Sequence, residues 1–429
     1  MAEATEQAAE ATPRGWLARP VVSLSYPHFR LFWFSNLVVA MGLMVQFTAR
    51  GWLIVDLTKS AFLLGVVDAA WALAAGLGSI PMGIVADRVN RRNLLAAGNV
   101  VILASAVAVG MLVATGLIAI WYIIVAAALE GFLFAGRIPA GQAMTARLVP
   151  EEHLMNAVSL NSAGHSLPSI AGPAVGGVLV AGLGIAAAYF TTAGALVVAL
   201  LLMLAVAASF GHIERDPTKS VLHDVRESWA YLRAHRDLIR LTLAMMIPFV
   251  LGQSYVLLLP LFVEKELHAG PQVFGALSAC LGAGSVVGAA TVATFGKQRQ
   301  IGLLMFLGVL GTGVATIVYS LSQWPALTGA VLVGAGIAQA TLFAAYETLL
   351  VVRLPDAMRG RVLGLLFTII GVFPASAMIA GAVADVIGLR PLAMIEGIII
   401  VAMAYVAWRV TLRQAVILPE PAAAGDGAY

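Results

Sequence analysis

The chain has 429 residues, 61% of them hydrophobic and 11% charged, with a formal net charge of +3. Soluble domains carry roughly a quarter of charged residues, so that class is excluded. Apolar runs of about 20 residues, each long enough to cross a hydrocarbon core as a helix, make this an all-α polytopic membrane protein. The one cysteine, Cys280, lies inside such a run and excludes a disulfide, a thiolate metal site or a redox pair within the chain.

Met1 to Arg19 is polar, rich in Ala and Glu and without an apolar stretch. No cleaved signal peptide is expected, and residues 1–26 read as a disordered cytoplasmic tail. Twelve apolar runs follow. They are Leu31 to Val55, Phe62 to Val85, Leu94 to Ala114, Ile118 to Ala140, Ala157 to Ala181, Ile185 to Phe210, Ile239 to Val263, Val273 to Phe295, Ile301 to Leu321, Ala326 to Val351, Val362 to Ala384 and Leu392 to Thr411. The short connections force neighbouring helices to be antiparallel, and an even number of spans puts both termini on one side. Of the 25 Lys and Arg residues, 21 fall on that side. Only Lys59, Lys265 and Arg390 fall on the other, and Arg50 stays inside a span. The basic side is therefore expected to be cytoplasmic, in a multi-pass protein of the inner cell membrane.

The longest connection, residues 211–238, divides the chain into two six-helix bundles, 27–210 and 239–413, with 414–429 as a second tail. Within it Leu222, Val225, Trp229 and Leu232 recur at helical spacing among charged residues, which predicts an amphipathic helix on the membrane surface that tethers the halves. The halves also repeat. Arg147-Leu-Val-Pro150 before span 5 has its counterpart in Arg353-Leu-Pro355 before span 11, and Gly172 to Gly177 recurs 205 residues later as Ala377 to Ala382. Such a repeat relates two bundles by an axis along the membrane normal.

Between spans 2 and 3 stands Gly83-Ile84-Val85-Ala86-Asp87-Arg88-Val89-Asn90-Arg91-Arg92, a charged turn in which Gly83 is expected where two helix ends come close. It resembles the signature loop of the major facilitator superfamily, Gly-x-Leu-Ala-Asp-Arg-x-Gly-Arg-Arg/Lys, with Val85 for Leu and Asn90 for Gly. Asn is the residue after Gly that best tolerates a left-handed backbone, so the turn is expected to survive that change. Its second-half counterpart, near Gly288 to Arg299, retains Lys297 and Arg299 but no Asp. Gly172-Pro173-x-x-Gly176-Gly177 is a kink and close-packing element, similar to the superfamily's fifth-helix motif of exporters, with Pro168 in place of its earlier Gly. Tyr26-Pro-His-Phe-Arg30, Leu57-Thr-Lys-Ser60, Arg359-Gly-Arg-Val362 and Gly381-Ala-Val-Ala-Asp385 narrow the resemblance. It is to the branch of enterobactin-type siderophore exporters and macrolide efflux proteins.

Charges within a bilayer are rare and face a cavity or one another. Arg50 and Asp68 lie about five and six residues inside their spans, at depths that agree within a few ångström. They are expected to form an ion pair, either structural or part of gating and coupling. Glu130 is near the middle of span 4, where an unpaired carboxylate takes up a proton; it reads either as a coupling or substrate-contacting acid or as a satisfied helix contact. The resemblance implies a central cavity lined by spans 1, 4, 7 and 10, and so by Gln46, Arg50, Glu130, Arg137, Gln253, Tyr255 and Tyr346. The superfamily's span 4 Arg is replaced by Ala127, and Arg137 either acts in its stead or snorkels to the surface. The resemblance also implies a cytoplasmic gate of Gly83, Asp87, Arg88, Arg91 and Arg92, with Glu347 and Arg353 as a gate ion pair. His165 reads as a packing histidine or a proton relay, Glu396 has no assigned role, and Pro168, Pro248, Pro260 and Pro374 are expected to kink spans 5, 7 and 11.

There is no Gly-rich loop ending in Gly-Lys-Ser/Thr and no histidine ligand spacing, so no ATP site of that type, metal or other cofactor is expected. The dispersed intramembrane charges do not suggest an enzyme. The expected function is a secondary transporter, working as a monomer, that exports a small amphipathic or hydrophobic molecule (drug, macrolide or siderophore-like) by proton antiport. The alternative is proton-linked uptake of a nutrient or lysolipid by the same fold. The expected partners are the small-molecule substrate, protons and the bilayer, with no nucleic acid.

Overall fold

In hydrocarbon every backbone N–H and C=O must be satisfied within the chain, which leaves helices for runs of this length. The computed structural model describes residues 16–86, 88–211, 229–295, 300–354 and 376–415. The long elements are α1 (Pro27–Thr58), α2 (Ala61–Ala86), α3 (Arg91–Ala114), α4 (Ile120–Leu148), α5 (Leu154–Leu183), α6 (Ile185–Ala205), α7 (Arg236–Leu257), α8 (Pro271–Phe295), α9 (Ile301–Leu321), α10 (Pro325–Arg353), α11 (Ser376–Ile387) and α12 (Leu389–Ala415). Each falls on one of the twelve expected runs. The run expected as one span from Ile239 to Val263 is bent: after Leu257 the axis turns by 46° and continues as Leu259–Lys265. Pro260, which has no N–H to donate back, occupies the first turn of that continuation. The Arg359 motif, Pro374, Lys297, Arg299 and the first part of the eleventh run lie outside the described residues.

Three local expectations are corrected. Residues 16–25, read as disordered tail, form a 3-10 helix held to the α4–α5 connection: Ser23 N donates to Asn156 Oδ1 at 3.0 Å, and Tyr26 Oη lies 2.9 Å from His153 Nδ1. Asn90 is not left-handed. It has φ −58° and caps α3, its side chain accepting from Asn93 N. Gly83 provides no close helix approach, since a Cβ there would meet nothing within 4 Å. The amphipathic stretch is described only from Trp229, which is exposed, while Leu232 is buried in the second bundle's core; Leu222 and Val225 lie outside the described residues.

Two ends of the molecule can be told apart by charge. The arginine-rich end carries Arg88, Arg91, Arg92 and Arg147; the arginine-poor end carries Lys59, Lys265 and Arg390. At the arginine-poor end one continuous core joins both bundles, with Leu53 and Ile54 of α1 and Leu64 of α2 packed among Leu258, Phe262, Phe274 and Ala380. Toward the arginine-rich end the described core residues fall into separate clusters. Phe29, Phe32, Met144 and Leu148 pack within the first bundle, and Leu238, Met305 and Leu350 within the second.

Lipid tails are as apolar as leucine, so helices in a bilayer gain little from burial and associate through close packing at small residues. The junctions between bundles follow this rule. A Cβ on Gly177 of α5 would lie 2.6 Å from Pro271 O and 2.9 Å from Gly275 Cα of α8, and one on Gly65 of α2 would lie 2.2 Å from Ala377 O of α11. The Gly172–Gly177 motif thus turns one side to α1, where Gly172 abuts Met44, and the other to the second bundle.

The tightest seam within a bundle is between α2 and α4, where a Cβ on Gly131 would come 2.0 Å from Trp71 O. Gly131→Ala is expected to lose about 1–3 kcal/mol of stability by forcing these helices apart. Gly141→Ala, on the same helix but facing nothing within 4 Å, should instead gain up to about 1 kcal/mol of helix propensity. Unfolding of both variants in detergent measures the contrast, and equal stabilities would contradict the seam.

Candidate functional site

The intramembrane charges of α1, α2 and α4 meet. Arg50 Nη1 donates to Glu130 Oε2 at 3.2 Å and Arg50 Nη2 lies 3.7 Å from Asp68 Oδ1, so the expected Arg50–Asp68 pair is part of a triad. Gln46, one turn before Arg50, donates Nε2 to Glu130 Oε1 at 2.5 Å. Glu130 is therefore not the unpaired carboxylate that its isolation in span 4 suggested, because both its oxygens are engaged. Asp68 is held more loosely, by the longer ion contact alone among the described residues. One guanidinium faces two carboxylates, and the triad becomes neutral on taking up one proton.

The triad forms part of the wall of a cavity of about 430 Å³ within the first bundle, a size suited to a small organic molecule. Asp68 and Met82 on α2 bound its length, about 21 Å apart along the helix axis. Apart from Gln46, Arg50, Asp68, Glu130 and Arg137, its lining is apolar, including Leu43, Phe47, Trp71, Met82 and Phe134. Arg137 does not snorkel to the surface. It lies two turns beyond Glu130 on α4, where Nη1 donates to Asn99 Oδ1 at 2.8 Å and Nη2 to Asn36 Oδ1 at 2.9 Å.

The second bundle contributes less than expected. Among the described residues Leu257 is its one residue on this wall, and the expected lining residues Gln253, Tyr255 and Tyr346 are elsewhere. Tyr255 Oη accepts from Gln339 and its ring packs on Tyr319, while Tyr346 Oη donates to Thr242. Both phenols satisfy their polar tip inside the second bundle, which is the usual state of a buried tyrosine. Glu396 is buried beside them, bonded to Ser254, with Oε2 unpartnered among the described residues. Apolar context alone could not separate a tyrosine facing a cavity from one closing a helix seam.

Of the gate expected at the arginine-rich end, Asp87 lies outside the described residues, and Arg88 and Glu347 are exposed. Arg91 and Arg353 each have a bonding partner. Arg92 stays within its own bundle at the C-terminus of α6: Nη2 donates to Leu204 O, and Nε donates at 3.3 Å to Met203 O, which also accepts from Val206 N.

At the arginine-poor end, where no gate is expected from the sequence, polar contacts cross between the bundles. Asp385 of α11 reaches the start of α2 in the other bundle. There it accepts from Ser60 Oγ at 2.7 Å, Ala61 N at 2.9 Å and Phe62 N at 3.0 Å. Lys59 Nζ lies 3.3 Å from Glu264 across the same junction. The signal was present in the Asp that ends Gly381 to Asp385, but its partner is more than three hundred residues away in the chain.

Two helical bundles sealed together at one end, with a charged cavity held between membrane-spanning helices, define a transporter of the major facilitator type. The chain belongs to the transmembrane secretion effector family of that superfamily, whose profile matches residues 18–420. It is similar to the enterobactin exporter EntS of Shigella flexneri, 26% identical over 360 residues that cover 82% of this chain and 83% of that protein. It is also similar to EntS of Citrobacter koseri, 27% identical over 364 residues, with 82% and 84% covered. In fold it resembles a bacterial homologue of the human lysosomal transporter Spinster in an inward-facing, unoccupied conformation, with TM-score 0.73 and 16% identity over 95% of this chain and 100% of that one. A variant of the nucleoside transporter NupG is comparable, with TM-score 0.74 and 12% identity over 89% and 99%.

Proposed function

We propose that this protein exports a small amphipathic molecule by alternating access and exchanges it for protons at Arg50, Asp68 and Glu130. The observation that carries the reading is one arginine shared by two carboxylates in the wall of an apolar cavity. Adding a proton to one acid releases Arg50 to the other and changes the charge of the wall beside which the substrate lies. The excess of basic residues puts the arginine-rich end, and both termini, in the cytoplasm. With the bundles joined at the arginine-poor end and their cores separate at the other, the structure corresponds to the loading state of an exporter. The similarity to enterobactin exporters supports the direction. That all the lining residues described come from one chain supports transport by the monomer.

The test is accumulation of a panel of amphipathic dyes in cells stripped of their own exporters. Expression should lower accumulation of at least one dye, and a protonophore should restore it. Glu130→Gln should accumulate dye as cells without the protein do, at equal amounts of folded protein in the membrane. Raised accumulation on expression would reverse the direction, and wild-type export by the Glu130→Gln variant would remove the triad from coupling.

A further inference from the structure

We infer that the exported molecule is an anion and that Arg137 receives its acidic group. This rests on the transport reading above and names the substrate class it leaves open.

The two cavity arginines are in different electrostatic situations. Arg50 faces two carboxylates, whereas Arg137 is held by two neutral amide oxygens, and among the described residues no carboxylate lies within ion-pair distance of it. Asn36 and Asn99 fix the guanidinium in place without cancelling its charge. A cation held by neutral dipoles in a wall of low dielectric keeps most of its attraction for an incoming anion. Asn99 itself is fully buried behind the cavity wall, where its Oδ1 is taken by Arg137, so it holds the guanidinium and does not line the cavity. A guanidinium without a counter-charge on a cavity wall is half of a recognition site for an acidic oxygen, and Arg binds such groups through two parallel hydrogen bonds.

The charge arithmetic of the cavity agrees. Arg50 is already shared by two carboxylates, which leaves Arg137 as the charge on this wall without a counter-charge among the described residues. Arg137 lies seven residues from Glu130, about 10 Å along α4 toward the arginine-rich end. An amphipathic anion would therefore set its acidic group (a carboxylate, a phosphate or an ionised phenol) at Arg137 and its apolar body against Leu43, Phe47, Trp71 and Phe134, next to the triad.

The full-length protein in nanodiscs can be tested with three probes that share one aromatic body: dansylglycine (anionic), dansylamide (neutral) and dansylcadaverine (cationic). Dansyl fluorescence rises on entering an apolar site. Wild type should bind dansylglycine about tenfold or more tightly than dansylamide, the effect of a hydrogen-bonded charge pair. It should bind dansylcadaverine most weakly. In Arg137→Gln the preference for dansylglycine should vanish while dansylamide binds as in wild type, which shows an intact cavity; Arg137→Lys should keep part of the preference. Equal affinities in wild type, or a preference that survives in Arg137→Gln, would overturn the inference. Flux of the same probes into proteoliposomes separates this from the transport reading. Dansylglycine that binds through Arg137 but is never moved retains the anion site and removes transport. Dansylamide moved as well as dansylglycine retains transport and removes the anion site.

Discussion

Replacing Arg50 by methionine is expected to remove proton-driven transport and to cost about 3–5 kcal/mol of stability, the penalty for stripping the partner from buried charges. Arg50 is 9% exposed and Glu130 7% exposed, so water cannot take over the lost contacts. Without the guanidinium, Glu130 keeps one hydrogen bond, from Gln46, and Asp68 keeps none among the described residues. The cost belongs to the orphaned acids, not to the missing arginine. The triple variant Arg50→Met, Asp68→Asn, Glu130→Gln should therefore recover stability to within about 1 kcal/mol of wild type, since neutral groups of similar shape often replace a buried ion cluster without loss. It should still show no proton-driven flux. Unfolding in mixed detergent and SDS micelles, with proteoliposome flux measured in parallel, gives both quantities. An Arg50→Met variant as stable as wild type would mean that the three charges are independently solvated.

The second large effect is expected on the conformational equilibrium. Asp385→Ala should favour the state open at the arginine-poor end by roughly 2–3 kcal/mol, a shift of about 30- to 150-fold in population. Asp385 satisfies two of the free N–H groups at the start of α2 and the hydroxyl of Ser60, and these bonds exist only while the bundles are together. Its negative charge also lies at the positive end of the α2 dipole. The neighbouring Lys59–Glu264 pair should matter little, because Lys59 is 66% exposed and surface ion pairs contribute little. With Cys280 replaced by Ser, nitroxides at Leu117 and Trp324, on exposed loops of the two bundles at this end, report the distance across the junction by pulsed electron resonance. The long-distance population should grow in Asp385→Ala and stay unchanged in Lys59→Ala. Unchanged distances in both would show that the glycine seams alone hold the end closed.

The twelve apolar runs were legible because each is a local property of about 20 residues. The helix of Ile301–Leu321 matches its expected bounds, and most of the others run past them at an end, where polar and basic residues extend a helix beyond its apolar stretch. The bend after Leu257 was visible only as Pro260. The Arg50–Asp68 pair followed from matching depths in adjacent spans. Glu130 was legible as a charge in the right place, but not as the third member of the pair, since periodicity does not say which way a side chain points in a helix apolar on all sides. For the same reason Tyr255 and Tyr346 were expected at the cavity, and Asn36 and Asn99 were passed over.

By itself the sequence determined the class of protein, the order of its apolar helices and the family. These depend on hydrophobic length, basic-residue bias and short motifs, all readable along the chain. Only the tertiary structure decided which charges share a partner, that Arg137 on the cavity wall has only neutral partners among the described residues, and that Asp385 of one bundle caps a helix of the other. Such facts depend on the rotation of each helix about its axis and on contacts across hundreds of residues, and a nearly uniform apolar surface leaves no trace of either in the order of its residues.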